Sequence, residues 1–147
     1  MRAAVEELLP RVSKPTRYLG NEWNAVHKDH GAVAVRVALA LPDVYEVGMS
    51  SLGLAILYEE INRRPDALAE RVFAPWVDME AALRSAGLPL FALESHRPVR
   101  SFDIVGFSLQ YELTYTNVLN MLALAGIPLW SADRREDDPL VVAGGPC

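Results

Sequence analysis

The feature that most constrains the fold is an apolar run, AVAVRVALAL at residues 32–41, which only Arg36 interrupts. A strand with one face in water alternates apolar and polar residues, whereas an unbroken run is typical of a strand covered on both faces. The segment DIVGFSL at residues 103–109 has the same character. The two runs therefore predict adjacent central strands of a parallel sheet with helices on both sides.

The segments around these two runs alternate between helical and extended patterns. Ser50 or Ser51 can begin a helix that continues to Ile61 or Asn62, and Asp78 can cap a helix that ends at Gly87. Further elements are a strand at residues 70–76, a helix from Tyr111 or Thr114 to Ala125, and a buried strand at residues 139–145.

This alternation predicts a three-layer α/β domain with a parallel, Rossmann-like or flavodoxin-like sheet. Residues 1–31 lack clean periodicity and are interpreted as a leader that lies on a domain formed by residues 32–147. The last predicted strand is followed only by GGPC, so we expect the domain to be incomplete at its carboxyl end.

Composition excludes several classes of protein. The chain has 147 residues, 51% of them hydrophobic, and a net charge of −5, which argues against disorder, nucleic-acid binding and anionic membranes. No apolar run approaches the roughly 20 residues that span a bilayer, and MRAAVEELLP is not a signal peptide. The single cysteine, Cys147, cannot form an internal disulfide or, alone, hold an iron–sulfur cluster. We expect a cytoplasmic protein.

Ligands of open parallel sheets bind beyond the carboxyl ends of the strands. Three segments fall there: residues 42–53, 110–117 and 144–146. They contain polar side chains, glycines and a helix start that suits an anion. The same features suit tight turns with a serine cap, so both interpretations stay open. The predicted ligand-binding residues are Tyr45, Glu46, Gly48, Met49, Ser50, Gln110, Tyr111, Glu112, Gly144 and Gly145.

No catalytic or metal-binding residue is predicted. Glu46 and Glu112 could meet as paired carboxylates for acid–base chemistry, but each could equally pair with an arginine or cap backbone. The chain has no GxxxxGK[ST], GxGxxG or GxSxG motif. His27, Asp29 and His30 lack a third strong ligand nearby, and they and His96 are expected near the surface.

Several long phrases resemble one family. They are RYLGNEWN at 17–24, PDVYEVGMSSLGLAILY at 42–58, ERVFAPWVDME at 70–80, LESHRPVRSFDIVGFSLQYELTYTNVLNML at 93–122 and PLVVAGGPC at 139–147. Together they resemble the N-terminal region of large bacterial radical SAM proteins, in which a B12-binding-like domain precedes the radical SAM barrel.

The resemblance implies an accessory domain that shapes the cofactor or substrate face of its own downstream barrel. The [4Fe–4S] cluster and S-adenosylmethionine would belong to that barrel, because the CxxxCxxC motif of similar proteins lies outside this sequence. Cobalamin is a candidate cofactor, but the DxHxxG signature that supplies a histidine to cobalt is absent. The alternatives are a protein-interaction module that binds no small molecule and a stand-alone flavodoxin-like enzyme. We also expect residues 1–147 to self-associate.

Overall fold

The computed structural model describes residues 1–147, and its centre is a four-stranded sheet in which every neighbouring pair is parallel. The strand order is β2-β1-β3-β4. The predicted α/β class and the adjacency of the two apolar runs are confirmed. The strands are β1 (Val35–Leu41), β2 (Ala67–Phe73), β3 (Ile104–Ser108) and β4 (Leu140–Gly144).

Five α-helices accompany the sheet. They are α1 (Arg2–Glu6), α2 (Tyr45–Met49), α3 (Leu52–Arg63), α4 (Val77–Ala86) and α5 (Tyr115–Ala125). The longest, α3, has 12 residues. None has the length and apolar character needed to cross a bilayer. The short helix α2 lies where the sequence predicted only a loop.

The helices form layers on the two faces of the sheet. On one face, here the α3 face, Leu54 and Tyr58 pack on alternate β1 residues such as Val37 and Leu39. On the other, the α5 face, Met121 packs with the remaining β1 residues and with β3. Helix α4 lies beside α5, to which it is hydrogen bonded at their exposed surfaces. This arrangement is a three-layer domain.

Helix ends follow the predicted chemistry with one exception. The Ser51 hydroxyl accepts a hydrogen bond from the backbone N–H of Leu54 and so caps α3. Gly87 and Gly126 end α4 and α5 in the left-handed conformation that glycine adopts without strain. The predicted cap at Asp78 is wrong, because α4 already begins at Val77. The Asp78 carboxylate accepts bonds from Ser13 and from the backbone N–H of Met79.

The leader is part of the folded domain. Val5, Leu8 and Tyr18 form an apolar cluster with Met79 of α4 and Phe91. The fully buried Val5 and Met79 show that the contact excludes water. The leader therefore forms an additional cover over α4, and its later part continues past α2 towards β2.

Burial is uneven across the strands. Every residue of β2 except Phe73 is buried, whereas β3 alternates between buried and half-buried residues and β4 is mostly exposed. The expectation that residues 139–145 form a buried strand is wrong. The half-buried residues of β3 all lie on the α3 face, because α3 covers β1 and β2 but stops short of β3 and β4.

Candidate functional site at the carboxyl ends of the strands

The loops after β1 and β3 meet at the point where the strand order reverses. The Tyr111 hydroxyl donates a hydrogen bond of 2.8 Å to the Asp43 carboxylate. The Asn117 amide donates one of 2.9 Å to the carbonyl of Pro42. The bond to Asp43 also raises the pKa of the Tyr111 phenol. The two loops are thus tied together, as a ligand site at a switch point requires.

A cleft of about 600 Å³ opens beside this junction, between the start of α3 and the end of β3. Gln110 forms one wall and donates a hydrogen bond to the Ser108 hydroxyl. The cleft brings together three of the predicted ligand-binding residues, Glu46, Ser50 and Gln110. The other lining residues are Leu41, Val47, Ser51, Leu52 and Gly53.

Glu46 does not form a carboxylate pair in this structure. Its Oε1 accepts hydrogen bonds from Nε and a terminal nitrogen of Arg17 at 2.9 and 2.8 Å, and Lys14 lies 3.3 Å away. The bond from Arg17 lowers the pKa of Glu46 to about 2. Glu112 is exposed in a short turn of 3-10 helix. A carboxylate held by two cations is a poor general acid or base near neutral pH.

Two other predicted residues face away from the cleft. The Tyr45 hydroxyl donates a 3.0 Å hydrogen bond to Glu22 of the leader, and its ring packs edge-on against Phe73. Burial, reinforced by Glu22, raises the pKa of Tyr45 to about 12. The Met49 sulfur lies 3.4 Å from a terminal nitrogen of Arg71. Both side chains therefore contribute to the interior between α2 and β2.

Arg71 is the centre of that interior and was missed by sequence reasoning. Its guanidinium is 2.6 Å from the Glu94 carboxylate, 3.6 Å from that of Glu22, and stacked 4.6 Å from the Tyr58 ring centre. Glu94 is fully buried, which raises its pKa, while Arg71 acts in the opposite direction. The available signal was the pair Glu70-Arg71 within an otherwise apolar strand, because such charges must find partners.

The glycines serve different purposes. A Cβ on Gly48 would lie 2.1 Å from the Phe73 ring, so this glycine, which has ordinary helical backbone, allows α2 to pack on β2. Gly145 has a φ of 143°, and a Cβ there would lie 2.0 Å from the carbonyl oxygen of Leu109. Gly144 has open space where its Cβ would be. Gly145 is therefore needed for the exit from β4. Neither Gly144 nor Gly145 lines the cleft; both line a separate groove between α3 and β4.

Two histidines that were expected near the surface are buried. His30 Nε2 lies 2.6 Å from Glu70 and its ring packs against Phe102. His96 is 2% exposed, and its Nε2 lies 2.6 Å from the carbonyl of Tyr18. Neither lines the cleft.

The residues after β1 match the DxHxxG signature at its aspartate and glycine but not at its histidine. Residues 43–48 read Asp-Val-Tyr-Glu-Val-Gly, with Tyr45 where the signature has histidine. A search for histidine alone overlooks this match. Since the Tyr45 phenol is protonated and bonded to Glu22, it is not offered to a metal in the cleft.

The carboxyl end of the sheet is rich in exposed apolar side chains. They come from the loops and helix starts that follow β1, β2 and β3: Val47, Trp76, Val77, Tyr111, Leu113 and Tyr115. The opposite end carries the ion pairs Arg64–Asp66, Arg36–Asp103 and Arg100–Asp138. Its exposed apolar side chains include Leu129 and Trp130 in the loop before β4. Exposed apolar surface around a cleft is typical of a binding surface.

Fold and site define a parallel α/β domain with a switch-point cleft bordered by apolar side chains. Residues 53–147 match the family model for radical SAM proteins, N-terminal, and the chain belongs to this family. It is also 24% identical over 113 residues to an uncharacterized protein of Methanocaldococcus jannaschii. That match covers 76% of the chain but only 19% of the relative. No solved structure matches the chain.

Proposed function

We propose that the carboxyl end of this sheet packs against the remainder of a radical SAM protein and forms one wall of its substrate or cofactor chamber. The observation that carries the proposal is the set of exposed apolar side chains around the switch-point cleft. Family membership supplies the context, because the chain matches the N-terminal part of such proteins. Cluster binding and cleavage of S-adenosylmethionine are assigned to the downstream part.

If the carboxyl end of the sheet is a docking surface, a charge introduced there should reduce activity, whereas a charge introduced at the opposite end should be tolerated. Leu113, which is 84% exposed beyond β3, is the natural position for a charge on the proposed surface. Leu129, which is 45% exposed at the opposite end, is the control. Both variants replace an exposed leucine by aspartate outside the α-helices and strands, Leu113 in a single turn of 3-10 helix and Leu129 in a loop, so a difference between them reports on the surface rather than on folding.

The experiment measures formation of 5′-deoxyadenosine by the reconstituted full-length protein. Leu113→Asp should reduce the rate at least about tenfold, which corresponds to about 1.4 kcal/mol of lost docking, whereas Leu129→Asp should stay near the parent rate. Equal rates in the two variants would contradict the proposal. They would instead favour a module that uses another surface.

Cobalamin is a second candidate for the chamber, and the cleft fits it in part. A volume of about 600 Å³ with open backbone at Gly53 accommodates a section of a large, flat cofactor. The cleft contains no imidazole, and Tyr45 is engaged by Glu22. Ser50, Ser51 and Gln110 would hold polar groups of the cofactor, and cobalt would receive no histidine from this domain.

Titration of the full-length protein with cobalamin, followed by absorbance, tests this candidate. A Cβ on Gly53 meets no atom within 4 Å, so the side chain of Gly53→Leu starts in open space and partly fills the cleft. It should weaken binding at least about tenfold, while Glu112→Gln should not. Binding that is unaffected by Gly53→Leu would place the cofactor elsewhere, and no binding by the parent protein would favour an interaction module.

A further inference from the structure

The two lateral edges of the sheet differ in the hydrogen bonding of their outward backbone groups. At the β2 edge, Ala67, Ala69 and Arg71 point backbone groups away from β1, and each of these three residues is bonded to a partner. The Lys28 ammonium donates to the Ala67 carbonyl at 2.7 Å. The Asn62 side chain bonds both the N–H and the carbonyl of Ala69. The Arg71 N–H donates to Glu94, and its carbonyl accepts from Leu93 N–H.

The β4 edge has no such cover. Leu140 and Gly144 bond to the β3 side, so Val141 and Ala143 point their N–H and carbonyl groups outwards. No side chain or loop hydrogen bonds to these groups. An uncovered edge of this length is a template for another strand. The sheet can therefore grow at β4 but not at β2.

The α3 face beside β4 is open as well. A groove of about 770 Å³ runs between α3 and β4 across β3. Leu57 of α3 is 49% exposed there, and Val142 of β4 is 45% exposed. Ile104 and Gly106 form its floor, so the surface is apolar where a solvent-facing strand would be polar. Its composition is that of a face that another element covers.

The handedness of the connections decides what reaches this groove. The connection from β1 to β2 contains α3, which lies on one face of the sheet. The connection from β3 to β4 runs in the opposite direction across the sheet, and its helix α5 lies on the other face. Both are right-handed crossovers. A connection onwards from β4 to a strand beside it would again lie on the α5 face. The helix that follows that strand would then turn back over the α3 face.

We propose that β4 pairs with a fifth parallel strand and that the groove holds the amphipathic helix that follows it, both supplied by the same polypeptide beyond residue 147. The family model that the chain matches describes the N-terminal part of radical SAM proteins, and the match covers only 19% of the relative, so both findings support such a continuation. The helix would bury Leu57 and Val142 and leave the switch-point cleft open at its end. This inference concerns the sheet and is independent of the proposed function.

Hydrogen exchange of the full-length protein at single-residue resolution tests the strand. In a paired β4, the outward amides of Val141 and Ala143 exchange within about tenfold of the inward amide of Val142. In an unpaired edge, only Val142 is protected, and the proposal fails. Ala69, whose outward amide is bonded to Asn62, is the internal reference for a protected edge.

A matched pair of charge substitutions in the full-length protein tests the helix. Leu57 and Leu119 are 49% and 51% exposed on α3 and α5 respectively. Leu57→Glu should lower the midpoint of thermal unfolding by about 5 °C or more, and Leu119→Glu by about 1 °C or less. Equal shifts would overturn the proposal. So would an oligomer that Leu57→Glu converts to a monomer, because a second copy would then cover the groove.

Discussion

The β2 edge and the β4 edge belong to one sheet but end it in opposite ways. At β2 the leader, α3 and the segment after α4 supply hydrogen-bond partners to outward backbone groups of Ala67, Ala69 and Arg71. At β4 the outward groups of Val141 and Ala143 have no partner within the chain. A parallel edge is thus closed by side chains from distant segments, and where these are missing the sheet is ready to be extended.

The largest effect should come from the charge that closes the β2 edge. Arg71→Met leaves the fully buried Glu94 without its cation, and we expect a loss of about 3–5 kcal/mol in the free energy of unfolding. Urea denaturation measures this loss. The double variant Arg71→Met with Glu94→Gln should recover part of it, because the buried carboxylate at position 94 is then replaced by a neutral amide, while Glu22 still lacks its cation. No recovery would mean that packing, rather than charge, dominates at this site.

A smaller effect is expected from the amide that closes the middle of the same edge. Asn62→Ala leaves the N–H and carbonyl of the fully buried Ala69 without partners. We expect a loss of about 2–3 kcal/mol, measured in the same way. Glu60→Ala, on the same helix and exposed, is the control and should change stability by less than about 0.5 kcal/mol. Similar losses in both would show that the loss does not come from the edge, because alanine has the highest helix propensity at either position.

Acid should loosen the leader that carries Lys28 and Glu22 to the β2 edge. Arg17 lowers the pKa of Glu46 from 4.5 to about 2, so the folded state binds the proton more weakly than the unfolded chain. The stabilisation is present above about pH 4.5 and is lost as the pH falls towards 2. The thermal midpoint of the parent should therefore drop further between pH 5 and pH 3 than that of Glu46→Gln. Parallel curves would contradict the assignment.

The smallest change in folding stability, but a clear change in association, is expected at the β4 edge. A protein consisting of residues 1–147 should self-associate with increasing concentration, because its edge and groove are exposed. Ala143→Pro removes an outward N–H that makes no bond within the chain, so it should reduce association with little loss of stability. Light scattering compares it with Ala143→Ser. A parent that stays monomeric at high concentration would remove the basis for this prediction.

Local patterns predicted the strands and helices well. The runs at residues 32–41 and 103–109 became adjacent parallel strands, and two helices end as expected, one before Gly87 and the other at Ala125. Helix α2 was missed because its five residues include Gly48, whose role depends on Phe73 of another strand. The boundary of β2 was displaced for a related reason, because its charged pair Glu70-Arg71 resembles the start of a strand rather than its middle.

The candidate site was predicted in position but not in orientation. The loops after β1 and β3 do meet, through Asp43 and Tyr111. Which side chains face the cleft depends on the leader, since Glu22 draws Tyr45 inwards and Arg17 holds Glu46 at the rim. These partners lie 23 and 29 residues away along the chain, and no local pattern contains them.

The sequence by itself determined the parallel α/β architecture, the order of its elements and the family to which the chain belongs. Periodicity and composition carry that information because each element buries its own apolar face. Only the tertiary structure decided how the sheet ends. The closure of the β2 edge rests on Lys28, Asn62 and Glu94, which are far apart in the chain. In the sequence, nothing distinguishes these polar residues from residues that are exposed to solvent. Their role follows from the backbone groups that folding places beside them.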